Sequence, residues 1–540
     1  MRERADSRTS EMLRQLLPKS RTNTDDWAKE SGTALIIAEE KSLQSTNAKM
    51  ALCMAVNLLS RLSPVITQLD ILVSDSVSLS INIPLFEPVE FRGSLKDFIN
   101  RLQPYCKVEF VDITSGRWDA ALSIGDSNGL DGVISIASDG WVAYVSTKKL
   151  LVNFTDNTNP IGAYAAACIG GMEVFKKIFL KKVNLLSPEK DQADPRWRLK
   201  FIDGQIGFST FDYKVDDSSS KNPPLPSTIN LEDLWMVGLG AGGGASAYSL
   251  ASVQGLEGHL NLIDPDEVKP VNMNRYIYAL NADAVGYKPK VEAVKELFKK
   301  LEVQAYPYSY QEFKESHKNS IMDFLISTVD TKETRRDIQW DMPRVILDAA
   351  VISTEFYVRR VDIGKSPCML CTHKPEEVER STEEILSKVI GLGTDEIVRL
   401  RSTNACLTQD HVDRMKKSSE THGFIIPSVG EHFNDWLQIH CGELASPIIP
   451  ERIPLPFATV LPGILLAGEV IKEYCFPYAV IQNCYAYDMI NVPRNGPTLL
   501  RPIADCIFCS DSRTNEIFQE KFGKSNRAHC DHTTKVTSKH

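Results

Sequence analysis

The sequence predicts an α/β fold in two halves, and three observations carry that reading. Short apolar runs of strand character alternate with helix-compatible stretches through most of the chain. The strand-like LWMV runs directly into a glycine-rich turn at Gly238 to Gly244, with helix-forming residues behind it, the order of a nucleotide-binding βαβ unit. Between the halves, Ser218 to Thr228 reads SSSKNPPLPST, a polar, proline-rich segment with little capacity to pack.

Length and composition bound the answer. A chain of 540 residues exceeds what one hydrophobic core usually supports, so two or three domains are expected. The 43% hydrophobic and 24% charged content is that of a soluble protein. A net charge of -9 argues against a nucleic-acid partner. The N-terminal MRERADSRTSEMLRQLL has no apolar core of a secretory signal, which predicts a cytoplasmic location and reduced thiols. The longest apolar run, Ile453 to Gly468, is too short to span a membrane and predicts a buried helix.

Element by element, LDILVS, DAALSIGD and GVISIAS read as strands, alternating with helices in MALCMAVNLLSRL and IGAYAAACIGGMEVFKKIF. Residues 1–217 therefore form one α/β domain, with 218–229 as linker. In 230–540, LWMVGLG and HLNLID read as buried parallel strands, and FLISTVD and RVILDAAV continue the sheet. The polar, helical composition of EEILSKVIGL and DHVDRMKKSS predicts a small helical insertion at about 375–436. The alternation then resumes with a helix at LLAGEVIKE and a strand in YAVIQNCYAYDMI.

The glycine turn contains GxGxxG at Gly238, Gly240 and Gly243, which lets backbone N–H groups and a helix N-terminus approach a phosphate. A glycine turn without any ligand is the bland alternative. Asp264 ends the next strand, where a carboxylate accepts bonds from ribose hydroxyls, so an adenosine nucleotide is favoured and a dinucleotide dehydrogenase stays open. Further on come Asp266, Asn272, Asn274, Arg275, Lys290 and Asp330. Arg and Lys neutralise a triphosphate and stabilise departing pyrophosphate, and a strand-end carboxylate holds Mg²⁺; a dehydrogenase needs none of these.

GLGAGGGA, IDPDEVKPVNMNRY, GYKPKVEA and STVDTKETR resemble the successive motifs of the ThiF, MoeB and ubiquitin-activating-enzyme superfamily, over roughly Leu231 to Phe508. The resemblance implies a Rossmann-like adenylation domain that uses ATP and Mg²⁺. By its motifs, Gly238, Gly240 and Gly243 line the phosphates, Asp264 holds the ribose, Asn272, Arg275 and Lys290 contact phosphates, and Asp330 binds Mg²⁺. An extra residue in GYKPK makes Lys288 a competitor for the role of Lys290, which keeps the better register with VEA.

Cys368 and Cys371 in SPCMLC, with Cys506 and Cys509 in ADCIFC, make two CxxC knuckles, the ligand set of a closed structural Zn²⁺ site; two unrelated pairs of thiols are the alternative. The superfamily has the same arrangement. Passing an activated carboxylate on as a thioester needs a further thiol. In related enzymes that thiol sits on the loop leading to a helix like the one ending LLAGEVIKE, which points to Cys441, with His440 beside it. Cys406, just before a helix capped near Thr408, is the competing thiol. Cys53, Cys168, Cys475 and Cys484 lie among apolar residues and read as core.

The first 217 residues lack a glycine fingerprint, yet IGAYAAACIGGMEVFKKIF is similar to LPFATVLPGILLAGEVIKE: both end in Glu, two residues, Lys. The half resembles the degenerate, inactive adenylation lobe of ubiquitin-activating enzymes, in which the partner lobe lends an arginine to ATP; Arg14 and Arg21 are the candidates. The resemblance implies an activating enzyme for a ubiquitin-like protein, with a conjugating-type carrier enzyme downstream, as in bacterial antiphage operons. The chain would act as a monomer with an internal pseudo-dimer or as a homodimer. The rivals are a sulfur-carrier adenylyltransferase of ThiF or MoeB type and a nucleotide-binding scaffold without catalysis.

Overall fold

A computed structural model describes Thr9 and residues 32–522, apart from 76, 87–90, 113–117, 128–129, 187–198, 319, 364, 374–381, 423–425, 438–453, 505 and 510. Two seven-stranded sheets organise these residues. The first holds β1 (Thr33–Ala38), β2 (Gln68–Leu72), β3 (Lys107–Phe110), β4 (Ala120–Ile124), β5 (Val133–Asp139), β6 (Val142–Ser146) and β7 (Gln205–Ser209) in the order β3-β2-β1-β4-β5-β6-β7. The second holds β8 (Ile229–Val237), β9 (Leu256–Ile263), β10 (Glu302–Tyr306), β11 (Phe324–Ser327), β12 (Val345–Ile352), β13 (Glu355–Asp362) and β14 (Cys484–Asp488) in the order β10-β9-β8-β11-β12-β13-β14. In each sheet the first five strands in chain order are parallel and the last two antiparallel. The chain is thus two α/β domains of one topology, each with its strand order reversing beside its first strand, where ligands enter such sheets.

The parallel strands need cover on both faces, which is why they read as unbroken apolar runs: β4 and β11 are buried at every position. The cover comes from long apolar helices placed alike in the two domains, Ile161–Leu186 between β6 and β7 and Pro456–Cys475 between β13 and β14. These two largely apolar helices are mostly buried and pack against each other, so one continuous core runs through both domains, with Lys181 left at the surface. Close approach is built in at Gly463, where a Cβ would fall 2.5 Å from the Gly242 carbonyl oxygen.

Each long helix carries the predicted Glu-x-x-Lys as a buried ion pair, Glu173 with Lys176 and Glu469 with Lys472. Both reach into the other domain. Lys472 donates to the Phe211 carbonyl at 2.7 Å while Tyr213 donates to Glu469 Oε1 at 2.6 Å, and Lys176 donates to the Asn491 carbonyl at 3.3 Å.

The helical insertion is a separate small body of helices Thr382–Ile390, Thr394–Thr403 and Gln409–His422, closed around Leu386, Ile397, Leu400, Met415, Phe433 and Trp436. One expectation needs correction. The strand expected in YAVIQNCYAYDMI is confined to Cys484–Asp488, because Pro477 opens a 3₁₀ turn at Pro477–Ala479. The proline-rich segment before β8 is mostly exposed and is tied to the first domain through Trp141, whose indole N–H donates to the Pro223 carbonyl at 3.0 Å and whose amide donates to Asn222 Oδ1 at 2.9 Å. No helix among the described residues is long and apolar enough to cross a membrane.

Breaking one partner of a buried pair strands the other charge, at a cost of about 3 to 5 kcal/mol. Glu469→Ala should lower the unfolding free energy by about that much in chemical denaturation, and adding Lys472→Met should recover most of it.

Candidate active site

The glycine turn follows from steric necessity. Gly238 has φ of +85°, and a Cβ there would meet the Thr328 backbone at 2.9 Å; a Cβ on Gly243 would fall 2.2 Å from the Gly238 carbonyl oxygen. Gly240 is the N-cap of the Ala241–Ala251 helix, no side chain caps it, and a Cβ there meets nothing within 4 Å. The start of that helix thus has open space beside Gly240 and no side chain capping it, an arrangement that favours a phosphate.

The first domain shows the contrast. Ile37 pairs with Leu72 and Ser123 as Val237 pairs with Ile263 and Ser327, so the two sheets can be superposed by register. One residue further on, Ala38 stands at the position of Gly238 and Val73 at that of Asp264; Asp126 stands at that of Asp330. The helix Thr46–Leu59 is already served by a carboxylate, Asp156 Oδ1 accepting from the Thr46 amide at 3.1 Å. The first domain keeps an aspartate at Asp126 but has neither the glycines nor a counterpart of Asp264, and its helix N-terminus is occupied.

In the second domain Asp264 is buried at the end of β9. Its Oδ2 accepts from the Leu239 amide at 2.5 Å and its Oδ1 from the Asp266 amide at 2.9 Å. Lys290, at the start of the Lys290–Lys295 helix, places Nζ 2.7 Å from Asp266 Oδ2 and 3.4 Å from Asp264 Oδ1. Burial raises the Asp264 pKa against the pull of Lys290. For Lys290, burial acts downward but Tyr276, Asp264 and Asp266 outweigh it, so its pKa is raised and it stays a cation. Lys288 turns away to Asp283 at 3.0 Å and to Glu296.

Arg275 follows the Pro270–Asn272 turn and is held by its own neighbours, Nη1 donating to Asn274 Oδ1 and Nη2 to Asn272 Oδ1, both at 3.0 Å. Tyr276 and Tyr278 stack at 5.1 Å, and the Tyr278 hydroxyl donates to the Leu239 carbonyl at 2.7 Å, tying this loop to the glycine turn. Asp330 lies exposed just past β11, and Thr328 Oγ1 donates to the Gly238 carbonyl at 2.6 Å. Gly238, Asp264 and Asp330 thus share the carboxyl edge of β8, β9 and β11.

Residues without a role in the sequence reading support this edge. Arg335 is buried, pairs with Asp348 and donates to the carbonyls of Val329 and Ala349, fixing the strand-end segment before Asp330. Asp348 also accepts from Tyr357 at 3.0 Å. Its signal was an aspartate inside the apolar VILDAAV. Thr9, buried, accepts from Asn274 Nδ2 at 3.4 Å. Cys441, His440, Arg14 and Arg21 lie outside the described residues. Cys406 is exposed, its Sγ 3.7 Å from both ring nitrogens of His432, and His432 Nδ1 bonds the Asn404 carbonyl at 2.6 Å.

The four knuckle cysteines converge. Cys368 Sγ lies 3.8 Å from that of Cys371 and 3.6 Å from that of Cys506, Cys371 and Cys509 are 3.7 Å apart, and all four lie within 4.8 Å of one another. A sulfur tetrahedron around Zn²⁺ at about 2.3 Å has edges of about 3.8 Å, so the set fits that ion. Elemental analysis of the purified chain should find one zinc per chain, lost together with thermal stability in Cys371→Ser/Cys509→Ser. Gly243→Ala, which forces the turn open, should abolish binding of ATP in calorimetric titration while the chain remains folded by circular dichroism.

Comparison with known proteins agrees with this geometry. Residues 228–484 match the ThiF family. Over 525 aligned residues, 92% of this chain and 93% of the other, the chain is 26% identical to the uncharacterized protein y4jF of Sinorhizobium fredii (strain NBRC 101917 / NGR234). The family points to an adenylyltransferase-type enzyme that uses ATP and Mg²⁺. The matched residues 228–484 lie within the second of the two α/β domains, and the match supports membership of the superfamily of ThiF, MoeB and the ubiquitin-activating enzymes.

Proposed function

We propose that the chain activates a ubiquitin-like protein by adenylating its C-terminal carboxylate and then takes the acyl group onto a cysteine. The observation that carries the adenylation step is the uncapped helix N-terminus at Gly240, opening beside Asp264, Lys290 and Asp330. Those amides would receive the phosphates, Asp264 the ribose, and Arg275, Asn272 and Lys290 the negative charge of the polyphosphate. Asp330 would hold Mg²⁺, whose charge assists the departure of pyrophosphate. To reach a phosphate, Lys290 has to loosen its pair with Asp266.

The carboxylate oxygen attacks the α-phosphorus; the bond to the bridging oxygen of the β-phosphate breaks, and pyrophosphate leaves. A thiolate sulfur then attacks the acyl carbon, the bond to the AMP oxygen breaks, and AMP leaves. We assign the thiol to Cys441, with Cys406 beside His432 as its competitor. A carrier enzyme of conjugating type would take the acyl group next, with the helical insertion as its docking body. An extended tail has a place to lie: Ala349 to Ile352 continue β12 past its pairing with β11, and beside them a cleft of about 460 Å³ is lined by Ile352, Phe356, Tyr357, Tyr487 and Arg494. The first domain, lacking the corresponding residues, would act as an inactive lobe. Two lobes in one chain and the helical insertion favour this reading over a sulfur-carrier adenylyltransferase, which shares the first step and differs in yielding a thiocarboxylate or persulfide.

Purified protein with a matching ubiquitin-like substrate should catalyse ATP–pyrophosphate exchange. Asp330→Ala should abolish it, whereas Cys441→Ala should retain exchange and lose only the thioester seen on non-reducing gels. Thioester persisting in Cys441→Ala and lost in Cys406→Ala would move the assignment to Cys406, and a wild-type chain that binds no ATP would end the adenylation reading.

A further inference from the structure

The turn that carries the candidate phosphate contacts is held by side chains from the other domain. Asn57, on the Thr46–Leu59 helix, donates from Nδ2 to the Ile277 carbonyl at 2.9 Å. Arg61, just past that helix and 3% exposed, donates from Nη1 to the Met273 carbonyl at 2.9 Å, from Nη2 to the Ala279 carbonyl at 3.0 Å, and from Nε to Asn57 Oδ1 at 2.7 Å. Two side chains of the first domain therefore bind three carbonyls of one short turn in the second. Asn272, Asn274 and Arg275 lie at the start of that turn, and Tyr278, which bonds the glycine turn, lies near its end.

The charge on Arg61 is unusual. Among the described residues no carboxylate forms an ion pair with it; it is solvated by carbonyl and amide oxygens alone. A buried cation without a counter-ion is costly, and burial lowers its pKa against the opposing influence of Tyr105 and Tyr248. Carbonyl hydrogen bonds alone would be met equally well by a neutral amide. A cation is retained to advantage where an anion arrives nearby, and the same turn presents Arg275 to the phosphates.

We infer that Arg61 is a positioning residue for the nucleotide site. Its planar fork fixes the Met273 to Ala279 turn, and the triphosphate supplies the counter-charge that no described carboxylate gives it. The inference rests on the reading of that site as one for a nucleoside triphosphate. It gives the first domain a task at a site it does not itself line, and it links nucleotide binding to the contact between domains, since coupling of this kind is reciprocal.

The test is calorimetric titration of the intact chain with α,β-methylene-ATP and Mg²⁺, and separately with adenosine. Displacing a site's supports costs about tenfold to a hundredfold. Arg61→Gln should weaken the triphosphate analogue by about tenfold or more while affecting adenosine little, and Arg61→Lys, which keeps the charge, should recover part of the loss. Equal weakening of both ligands would reduce Arg61 to a structural prop, and unchanged affinity in folded Arg61→Gln would overturn the inference. If Arg61→Gln fails to fold, Arg61→Lys and Asn57→Ala decide it: wild-type affinity for the analogue in both overturns it, whereas loss confined to the triphosphate supports it. A wild-type chain that binds neither ligand would instead remove the nucleotide reading on which the inference stands.

Discussion

The contact between the Ile161–Leu186 and Pro456–Cys475 helices is the constraint on which the rest of the molecule depends. A parallel sheet exposes apolar surface on both faces, and each domain covers one face with a largely apolar, mostly buried helix. Neither helix can be finished within its own domain; each needs the other as its remaining cover. The continuous core and the two crossed Glu-x-x-Lys pairs follow from that requirement. The second domain thus depends on the first for its own packing, whatever chemistry the first performs.

That dependence explains how two domains of one topology can differ so much at their ligand edges. Once the first domain is held in place by its core, nothing in the packing requires its strand ends to bind anything. Val73 stands where Asp264 does, Ala38 stands where Gly238 makes a turn that favours glycine, and Asp156 accepts from the helix N-terminus. In the second domain the same edge is costly in every respect. Gly238 is in a left-handed conformation, the Ala241–Ala251 helix lacks a cap, and a carboxylate is buried in Asp264. Costs concentrated at one edge, where the equivalent edge of the twin domain avoids them, are what a ligand site imposes on a fold.

What could be seen in the sequence was whatever is written locally. The glycine turn needs residues within one turn of one another, Asp264 ends a strand that its own alternation predicts, and each cysteine knuckle is four residues long. The helix pair was visible because both copies close with the same Glu-x-x-Lys. Long-range partners were not visible. Arg61 lies just past the end of a nearly fully buried apolar helix, and two of its acceptors are backbone carbonyls some two hundred residues away, which carry no side-chain signature. Arg335 resembles any arginine of a surface helix until Asp348 is placed beneath it. The proline-rich segment shows the same limit: composition reports that a stretch forms no element of its own, and says nothing about the one place where Trp141 binds it.

The geometry also separates the parts of the site that are fixed from those that must move. Gly238, Gly243, Thr328 and Tyr278 are locked by backbone contacts and hydrogen bonds that leave no room for adjustment. Lys290 and Arg275, by contrast, are held by side chains, the exposed Asp266 and the buried Asp264 for one and Asn272 with the buried Asn274 for the other. The exposed Asp266 is inexpensive to exchange, since water replaces much of what is lost. An anion that takes Lys290 from Asp266 therefore leaves the turn beneath it unmoved. The order follows from burial: the scaffold is set by folding, and the charges complete the site when the anion arrives.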